Sequence, residues 1–335
     1  METRLNSTPP SNWSRRLQKR IGHGDLPWQG LIVIASALVM LIILGIAAFL
    51  WRQSSGTITK FGWSFVAPTA DPNWDPINDN FQAWPFIYGT ILTSVAAMIL
   101  AVPISLGIAV FVAELCPEWL RTPLNWLVEM LAAIPSVIYG LWGLFVFLPV
   151  VTMPVGKVLG NTLGKAPLLS QLFGGPIPES GASRLGAALI LSIMVIPTIS
   201  AVTRDVLLAI PSHQREAALA LGATRWEMIW QVLLPYGLSG ILGADLIGLG
   251  RALGETMAVT MVIGNSLDPS PSLLRPGYTM ASVIANEFAE AVSKIHVQAL
   301  MEVGLALFLI TLALNILARL LVWSVARRTP QEVRA

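Results

Sequence analysis

Six long apolar blocks are the feature that most constrains the fold of this chain. The first block, LIVIASALVMLIILGIAAFL (31–50), contains no charged residue, and a helix of about 20 apolar residues spans the hydrocarbon core of a bilayer. Charged residues make up 12% of the 335 residues, against about 25% in ordinary soluble domains. The sequence therefore predicts an all-α polytopic membrane protein.

The blocks divide the chain into a short tail, a first helix, a loop and a helical core. We predict a tail at 1–26, a transmembrane helix at 27–51, an extracytoplasmic loop at 52–84, a core at 85–325 and a C-terminal tail at 326–335. The other five spans are predicted at 84–113, about 123–151, 185–203, about 228–264 and 299–324. Several contain proline, which is tolerated where neighbouring helices satisfy the freed backbone groups.

The basic run RRLQKR (15–20) precedes the first block, as in a secretory signal peptide. The apolar stretch exceeds the 7–15 residues of a signal core, and no small-residue cleavage site follows it, so we predict a retained helix. Lys and Arg concentrate in the N-terminal tail, in 204–225 and from Arg319 onward. An even number of spans puts these segments on one side, and the positive-inside rule then predicts that both termini are cytoplasmic.

The predicted cytoplasmic loop IPSHQREAALALGATRWEMIWQVLLP (210–235) has a sharp helical corner. Gly222 is suited to ending the first short helix, and Thr224 with Glu227 forms the T-x-x-E capping box that begins the next. A DNA-binding helix–turn–helix is the alternative. The few local arginines and the position between two spans argue against it, so no nucleic-acid partner is expected.

The same loop resembles the EAA loop of ABC-importer permeases. The residues that match at the right spacing are Glu216, Ala217, Ala218, Gly222, Leu234 and Pro235, and Val232 stands where isoleucine is usual. The resemblance implies that Glu216, Ala217, Ala218 and Gly222 couple this chain to a separate ATPase subunit. The sequence has no G-x-x-x-x-G-K-[ST] phosphate loop. We therefore expect no cofactor in this chain and expect ATP and Mg to be bound by the partner ATPase. The three histidines are far apart in the sequence, so no metal site is predicted.

The stretch GLGRALGETMAV (248–259) places Arg251 and Glu255 in an apolar region, although a charge at the bilayer centre costs roughly 2.5–3.5 kcal/mol. On a continuous helix the two side chains share a face and can pair, whereas Asp245 lies on another face. Either they form a structural ion pair, or they line a transport route. Arginine suits a tetrahedral oxyanion, and a phosphate that carries a proton can donate it to Glu255, which sulfate cannot do.

Together with PFIYGTILTSV (85–95) and IPSVIYGLWG (134–143), this stretch resembles the phosphate-specific permease subunits of the PstC type. The resemblance covers about 85–325. It implies a type I ABC importer (MetI-like) permease fold in the plasma (inner) membrane of a prokaryote. It also assigns Arg251, Glu255 and Thr256 to substrate translocation.

The partners that the resemblance implies are a homologous PstA-type permease, two copies of a PstB-type ATPase, a PstS-type extracytoplasmic phosphate-binding protein, inorganic phosphate and membrane lipid. The alternatives are the sister PstA-type subunit and a permease for another oxyanion. More distant ones are a phosphate-sensing scaffold and an intramembrane enzyme using Asp245, Arg251 and Glu255. Against the enzyme alternative, the sequence shows no serine–histidine, paired-aspartate or HExxH constellation.

Overall fold

The structure is a computed structural model that describes residues 25–68, 72–167 and 169–328. Almost all of the two predicted tails, 1–26 and 326–335, lies outside the described residues. The chain divides into two compact units, one ending at Arg52 and one beginning at Gln53.

The first unit contains one long apolar helix, α1 (Asp25–Gln53). Its described side chains are exposed along most of the length, including Ile34, Leu41 and Phe49. A helix that is apolar all round requires an apolar environment, and Trp28–Gln53 meets the length and composition of a membrane span. This helix covers the predicted first transmembrane helix, 27–51.

The second unit is a helical bundle with one small hairpin. Strands β1 (Trp74–Asp75) and β2 (Asn80–Phe81) pair antiparallel, with Trp74 opposite Phe81. The helices before the loop 210–235 are α2 (Ser55–Phe61), α3 (Trp84–Val110), α4 (Glu118–Ala133), α5 (Ser136–Trp142), α6 (Met153–Thr162), α7 (Ser170–Phe173) and α8 (Arg184–Leu208). Those that follow are α9 (Ser212–Ala220), α10 (Arg225–Met228), α11 (Leu234–Gly254), α12 (Met257–Val262), α13 (Met280–Glu287) and α14 (Lys294–Arg328). Short π-helical turns at Phe111–Leu115, Gly143–Thr152 and Ile229–Leu233 extend or join some of these helices.

Six helices among the described residues are long and apolar enough to cross a membrane, as predicted. They are Trp28–Gln53, Trp84–Leu115, Ser136–Lys165, Arg184–Leu208, Arg225–Gly254 and Lys294–Ser324. The described residues of the predicted loop at 52–84 contain α2, a 3-10 turn and the hairpin.

The third predicted span, 123–151, is not one continuous helix. Helix α4 ends at Ala133, Ile134 is extended with ψ 128°, and α5 begins at Ser136. The cause is Pro135, since a proline ring disfavours the helical conformation of the residue before it. The continuous helix that meets the criteria for a span is therefore Ser136–Lys165, while α4 is a separate helix that carries Glu129.

The fifth predicted span, 228–264, is interrupted inside the charged stretch. Helix α11 ends at Gly254, Glu255 has ψ 125°, and the short helix α12 begins at Met257. There is no proline at this break. Instead, the Glu255 side chain accepts a hydrogen bond from the backbone N–H of Ala258 at 3.3 Å, which satisfies a donor in the first turn of α12.

The two interrupted segments pack against each other. A Cβ placed on Gly140 of α5 would lie only 3.0 Å from the Ala258 Cα of α12, so glycine allows the two backbones to approach closely. Around this contact lies a buried cluster that includes Tyr139, Ile190 and Val262. The bundle thus places two helix breaks side by side.

Candidate functional site

The first part of the candidate site is Arg251, on the last turn of α11. Its Nη1 donates a hydrogen bond to the Thr198 Oγ1 of α8 at 3.2 Å, and it interacts electrostatically with Tyr139. The side chain is only partly buried. A hydroxyl therefore orients the guanidinium without neutralising it, and its positive charge remains available.

One of the two alternatives for this stretch, a structural ion pair between Arg251 and Glu255, is not formed in the structure. Among the described residues, no salt bridge joins the two side chains. The four-residue spacing produces a shared face only on a continuous helix, and α11 ends at Gly254. Glu255 and Thr256 follow in the break, both partly exposed, so the structural-ion-pair interpretation of the stretch fails.

Tyr139 is a site residue that sequence reasoning missed. Its hydroxyl donates to the carbonyl of Leu131 at 2.9 Å, and so it bridges the other break, at Ile134–Pro135. The ring is buried, with 7% of its surface exposed. The signal was available in IPSVIYGLWG, where a proline interrupts an apolar run and a tyrosine follows one turn later.

These residues form a polar site where two discontinuous helices meet. Arg251 lies roughly 25 Å along the helix from the loop 210–235 at 1.5 Å per residue, on the last turn before the span is interrupted after Gly254. Irregular backbone at membrane depth occurs where it is enclosed by protein or lines a cavity, and broken helices commonly form transporter binding sites. The donors of Arg251 and the hydroxyl of Thr256, with the carboxylate of Glu255 as an acceptor, suit an anion that carries a proton.

The second part of the candidate site is the helical corner, and here the prediction is confirmed. Gly222 has φ +89°, its N–H bonds to the Leu219 carbonyl, and the Ala223 N–H bonds to the Ala218 carbonyl. These two bonds complete a Schellman helix stop. Thr224 and Glu227 then form both bonds of the capping box.

The four predicted coupling residues do not share one surface. Glu216, Ala217 and Gly222 are exposed, whereas Ala218 is buried and packs into a cluster with residues of α3 and α8. Ala217 is therefore the small residue that a partner can approach, and Ala218 instead lets α9 lie close to the bundle. Leu221, next to Gly222, is 90% exposed at the turn.

Arg215 anchors this corner to the bundle. Its Nη2 lies 2.8 Å from the Glu114 Oε1 at the end of the second span, and it also donates to the carbonyls of Leu207 and Ile210. Both partners of the ion pair are largely buried, so the contact is stronger than an exposed one. Arg215 thereby ties α9 to the ends of two spanning helices, Trp84–Leu115 and Arg184–Leu208.

Comparison with known proteins assigns the chain to a family. Residues 101–330 match the family described as "Binding-protein-dependent transport system inner membrane component". The chain belongs to this family. The chain is also similar to the phosphate transport system permease protein PstC of Xylella fastidiosa, with 43% identity over 92% of this chain and 94% of that protein. The PstC proteins of Pasteurella multocida and Haemophilus influenzae are each 46% identical, over 87% and 85% of this chain and 89% of each relative.

Solved ABC importers share the fold of this permease. A bacterial ABC transporter involved in the import of alginate aligns over 94% of this chain and 100% of its own, with a TM-score of 0.56 and 17% identity. An inward-facing MetNI methionine ABC transporter aligns over 76% of this chain and 99% of its own, with a TM-score of 0.51 and 18% identity. The expected ABC importer permease fold, with six apolar spans, is confirmed.

At the end of the permease opposite the corner, the loop 267–277 is fixed to the start of α8. Arg184, only 1% exposed, donates to the carbonyls of Ser270 and Ser272 at 2.8 and 2.9 Å and to the Asp268 carbonyl. We call this end the opposite end, and the end with Gly222 the coupling end.

A polar cluster at the opposite end, formed by Trp74, Glu287 and His296, was not predicted from the sequence. The Glu287 Oε2 accepts from Trp74 Nε1 at 2.6 Å and lies 2.9 Å from His296 Nε2, and a cavity of about 780 Å³ adjoins them. His296 is therefore not an isolated polar residue, as the scattered histidines suggested. No sequence spacing indicates this contact, because Trp74 and Glu287 are far apart in the chain.

Proposed function

We propose that this chain is the transmembrane permease subunit of an ATP-driven importer of inorganic phosphate, in the inner membrane of a prokaryote. The observation that carries the proposal is Arg251, held by Thr198 beside a helix break that also exposes Glu255 and Thr256. It occurs in a chain that is 43% identical to a phosphate transport permease over 92% of its length. This identity to PstC proteins favours the proposal over the sister subunit and over a permease for another oxyanion.

The chemistry of the site favours phosphate over sulfate. A guanidinium offers five donors in a fixed fork that matches tetrahedral oxyanions, and a charge-assisted bond is about twice as strong as a neutral one. Glu255 would repel a fully deprotonated anion. Phosphate at neutral pH retains an O–H that can donate to Glu255, so the carboxylate discriminates between the two anions.

The site is open on one side within this chain, because Arg251, Glu255 and Thr256 are all partly exposed. A homologous PstA-type subunit would close it and supply the other half of the pathway. A PstS-type binding protein would deliver phosphate at the opposite end. This orientation places the coupling end and both termini in the cytoplasm, in agreement with the distribution of Lys and Arg.

Energy would enter at the coupling end. Two copies of a PstB-type ATPase, which bind ATP and Mg, would each contact one permease. On this chain the contact surface is Glu216, Ala217, Leu221 and Gly222. The Arg215–Glu114 ion pair then transmits the displacement of α9 to the spanning helices.

Uptake of radiolabelled phosphate into proteoliposomes that contain the assembled transporter and its binding protein tests this function. We expect ATP-dependent uptake by the wild type and at most about 1% of it for Arg251→Ala, since several charge-assisted bonds worth about 1.5–3 kcal/mol each are lost. Lys157→Ala, which removes a cation from another span, is the matched control and should retain uptake. ATP-dependent transport of a different solute, with none of phosphate, would overturn the substrate assignment.

A further inference from the structure

A groove runs along the outside of the bundle, between α11 and the second half of α14. It encloses a cavity of about 640 Å³, and its walls are formed mainly by Leu246, Ile247, Leu312 and Ile316. The wall residues of α11 and α14 belong to helices that meet the criteria for membrane spans. The groove therefore lies at the depth of the apolar part of a membrane and is large enough for a hydrocarbon chain.

Two glycines form part of its floor. A Cβ on Gly243 or on Gly250 would meet no atom within 4 Å, so these positions are not required for tight packing against the rest of the chain. Because both lack a side chain, only backbone lines the groove at these two positions of α11. An elongated apolar ligand can lie against the bare backbone here.

One end of the groove is cationic. Arg319 and Asn315 line it one helical turn apart on α14, and among the described residues Arg319 forms no salt bridge. Helix α14 runs antiparallel to α11, so Arg319 lies toward the coupling end. The apolar span ends at Ser324, roughly 7.5 Å farther along the axis, a distance that a long arginine side chain covers to reach the headgroup level.

We propose that this groove is a binding site for an anionic phospholipid. One acyl chain lies over Gly243 and Gly250 between the apolar walls, and the headgroup phosphate is bound by the Arg319 guanidinium, with Asn315 beside it. Basic pockets between transmembrane helices at the cytoplasmic side are suited to anionic headgroups, and arginine binds phosphate bidentately.

The combination of an apolar wall and a cation that has no salt bridge within the described part of the chain favours a lipid over the other occupants. A free phosphate ion would use Arg319 but has no part that fits the apolar walls. A helix of a second subunit would fill the groove but would need to bring a carboxylate to Arg319. A phospholipid supplies both parts in one molecule, and the groove extends to Gly250, next to Arg251, so the bound lipid would contact the helix that carries the candidate anion site.

Native mass spectrometry of the assembled transporter, equilibrated with mixed micelles of phosphatidylglycerol or phosphatidylcholine, tests the site. We expect the wild type to retain phosphatidylglycerol in preference to phosphatidylcholine. Arg319→Gln should lower phosphatidylglycerol retention about fivefold, the factor expected for one basic residue near an anionic surface. Arg319→Lys should retain most of it, and Gly243→Leu should displace both lipids by filling the groove.

Leu317→Ala, on another face of α14 and 61% exposed, is the matched control and should bind lipid as the wild type does. Unchanged phosphatidylglycerol retention in Arg319→Gln would overturn the proposal. Loss of a partner subunit rather than of lipid would overturn it too, and would make the groove a subunit interface. Displacement of the lipid by millimolar inorganic phosphate would assign Arg319 to the free anion. None of these outcomes depends on which solute the transporter carries.

Discussion

The corner at Gly222 and the candidate anion site around Arg251 are built in opposite ways. At the corner, every defining hydrogen bond joins residues within five positions of each other, from Ala218 to Glu227. At the anion site, Arg251 depends on Thr198, 53 residues away on another helix. The structure of the first region depends only on residues that are close in the sequence. The second region exists only when α8 and α11 are packed.

This difference predicts how each region fails. Substitutions at the corner should disturb coupling to the ATPase while the anion site remains intact. Substitutions around Arg251 should alter substrate affinity or selectivity and leave the association with the ATPase unchanged. The predictions below test that separation, beginning with the largest expected effect.

The first prediction concerns Gly222. A β-branched residue in the left-handed region costs roughly 1–2 kcal/mol or more, so Gly222→Val should shift the corner and lower ATP-dependent uptake at least about tenfold. Co-purification of the ATPase should fall in parallel, measured on the assembled transporter. Gly45→Val, in the open face of α1, is the control. Normal coupling in Gly222→Val would show that the helix stop is dispensable.

The second prediction concerns selectivity at Glu255. Glu255→Gln replaces an acceptor with a group that can also donate, so it should weaken discrimination between phosphate and sulfate by about tenfold, the effect of one charge-assisted hydrogen bond. Competition of unlabelled sulfate with labelled phosphate uptake measures this ratio. Glu179→Gln, at an exposed turn, should leave it unchanged. An unaltered ratio in Glu255→Gln would remove Glu255 from the anion route.

The third prediction concerns Thr198, which we assign as a positioning residue for Arg251. Thr198→Val removes the acceptor of the 3.2 Å hydrogen bond with little change in volume, and one such bond is worth about 1 kcal/mol. The KM for phosphate should rise about fivefold with a smaller change in kcat, while Thr198→Ser should restore the wild-type value. A fall in kcat alone, without rescue by serine, contradicts a positioning role.

The fourth prediction, with the smallest expected effect, concerns the hairpin at the opposite end. Like the corner, the hairpin is held by hydrogen bonds between residues close in the sequence, but we assign it no coupling role. The Asn78 side chain, followed by the backbone N–H groups of Ile77 and Asn78, lowers the pKa of Asp75. The folded pKa lies below the unfolded value, so this stabilisation is present above the ordinary pKa and is lost as the pH falls through the lowered one.

Hydrogen exchange of residues 74–81, corrected for the intrinsic rate, should therefore show protection that decreases only at acidic pH. In Asp75→Asn the protection should be reduced at neutral pH and nearly independent of pH. Phosphate uptake at neutral pH should be the same in both. A loss of uptake in Asp75→Asn would mean that this local element is coupled to the anion site after all.

Much of the fold could be predicted because its causes are local. Pro135 lies where the third segment breaks, and a proline disfavours the helical conformation of the residue before it, here Ile134. A continuous span was nevertheless predicted, because the apolar composition of the segment outweighed this local signal. The break after Gly254 had no proline to indicate it. The alternative of an ion pair between Arg251 and Glu255 failed for that reason, because the shared helical face does not exist.

The sequence by itself determined the six apolar spans and the corner at Gly222, because hydropathy and hydrogen bonds between near neighbours require no distant partner. It also supplied Arg251, Glu255 and Thr256 as candidates for the anion site. Only the tertiary structure decided that Thr198 orients Arg251, that Ala218 faces the bundle, and that Trp74, Glu287 and His296 meet. The physical reason is that each of these contacts joins segments far apart in the chain, and their geometry is set by how the helices pack.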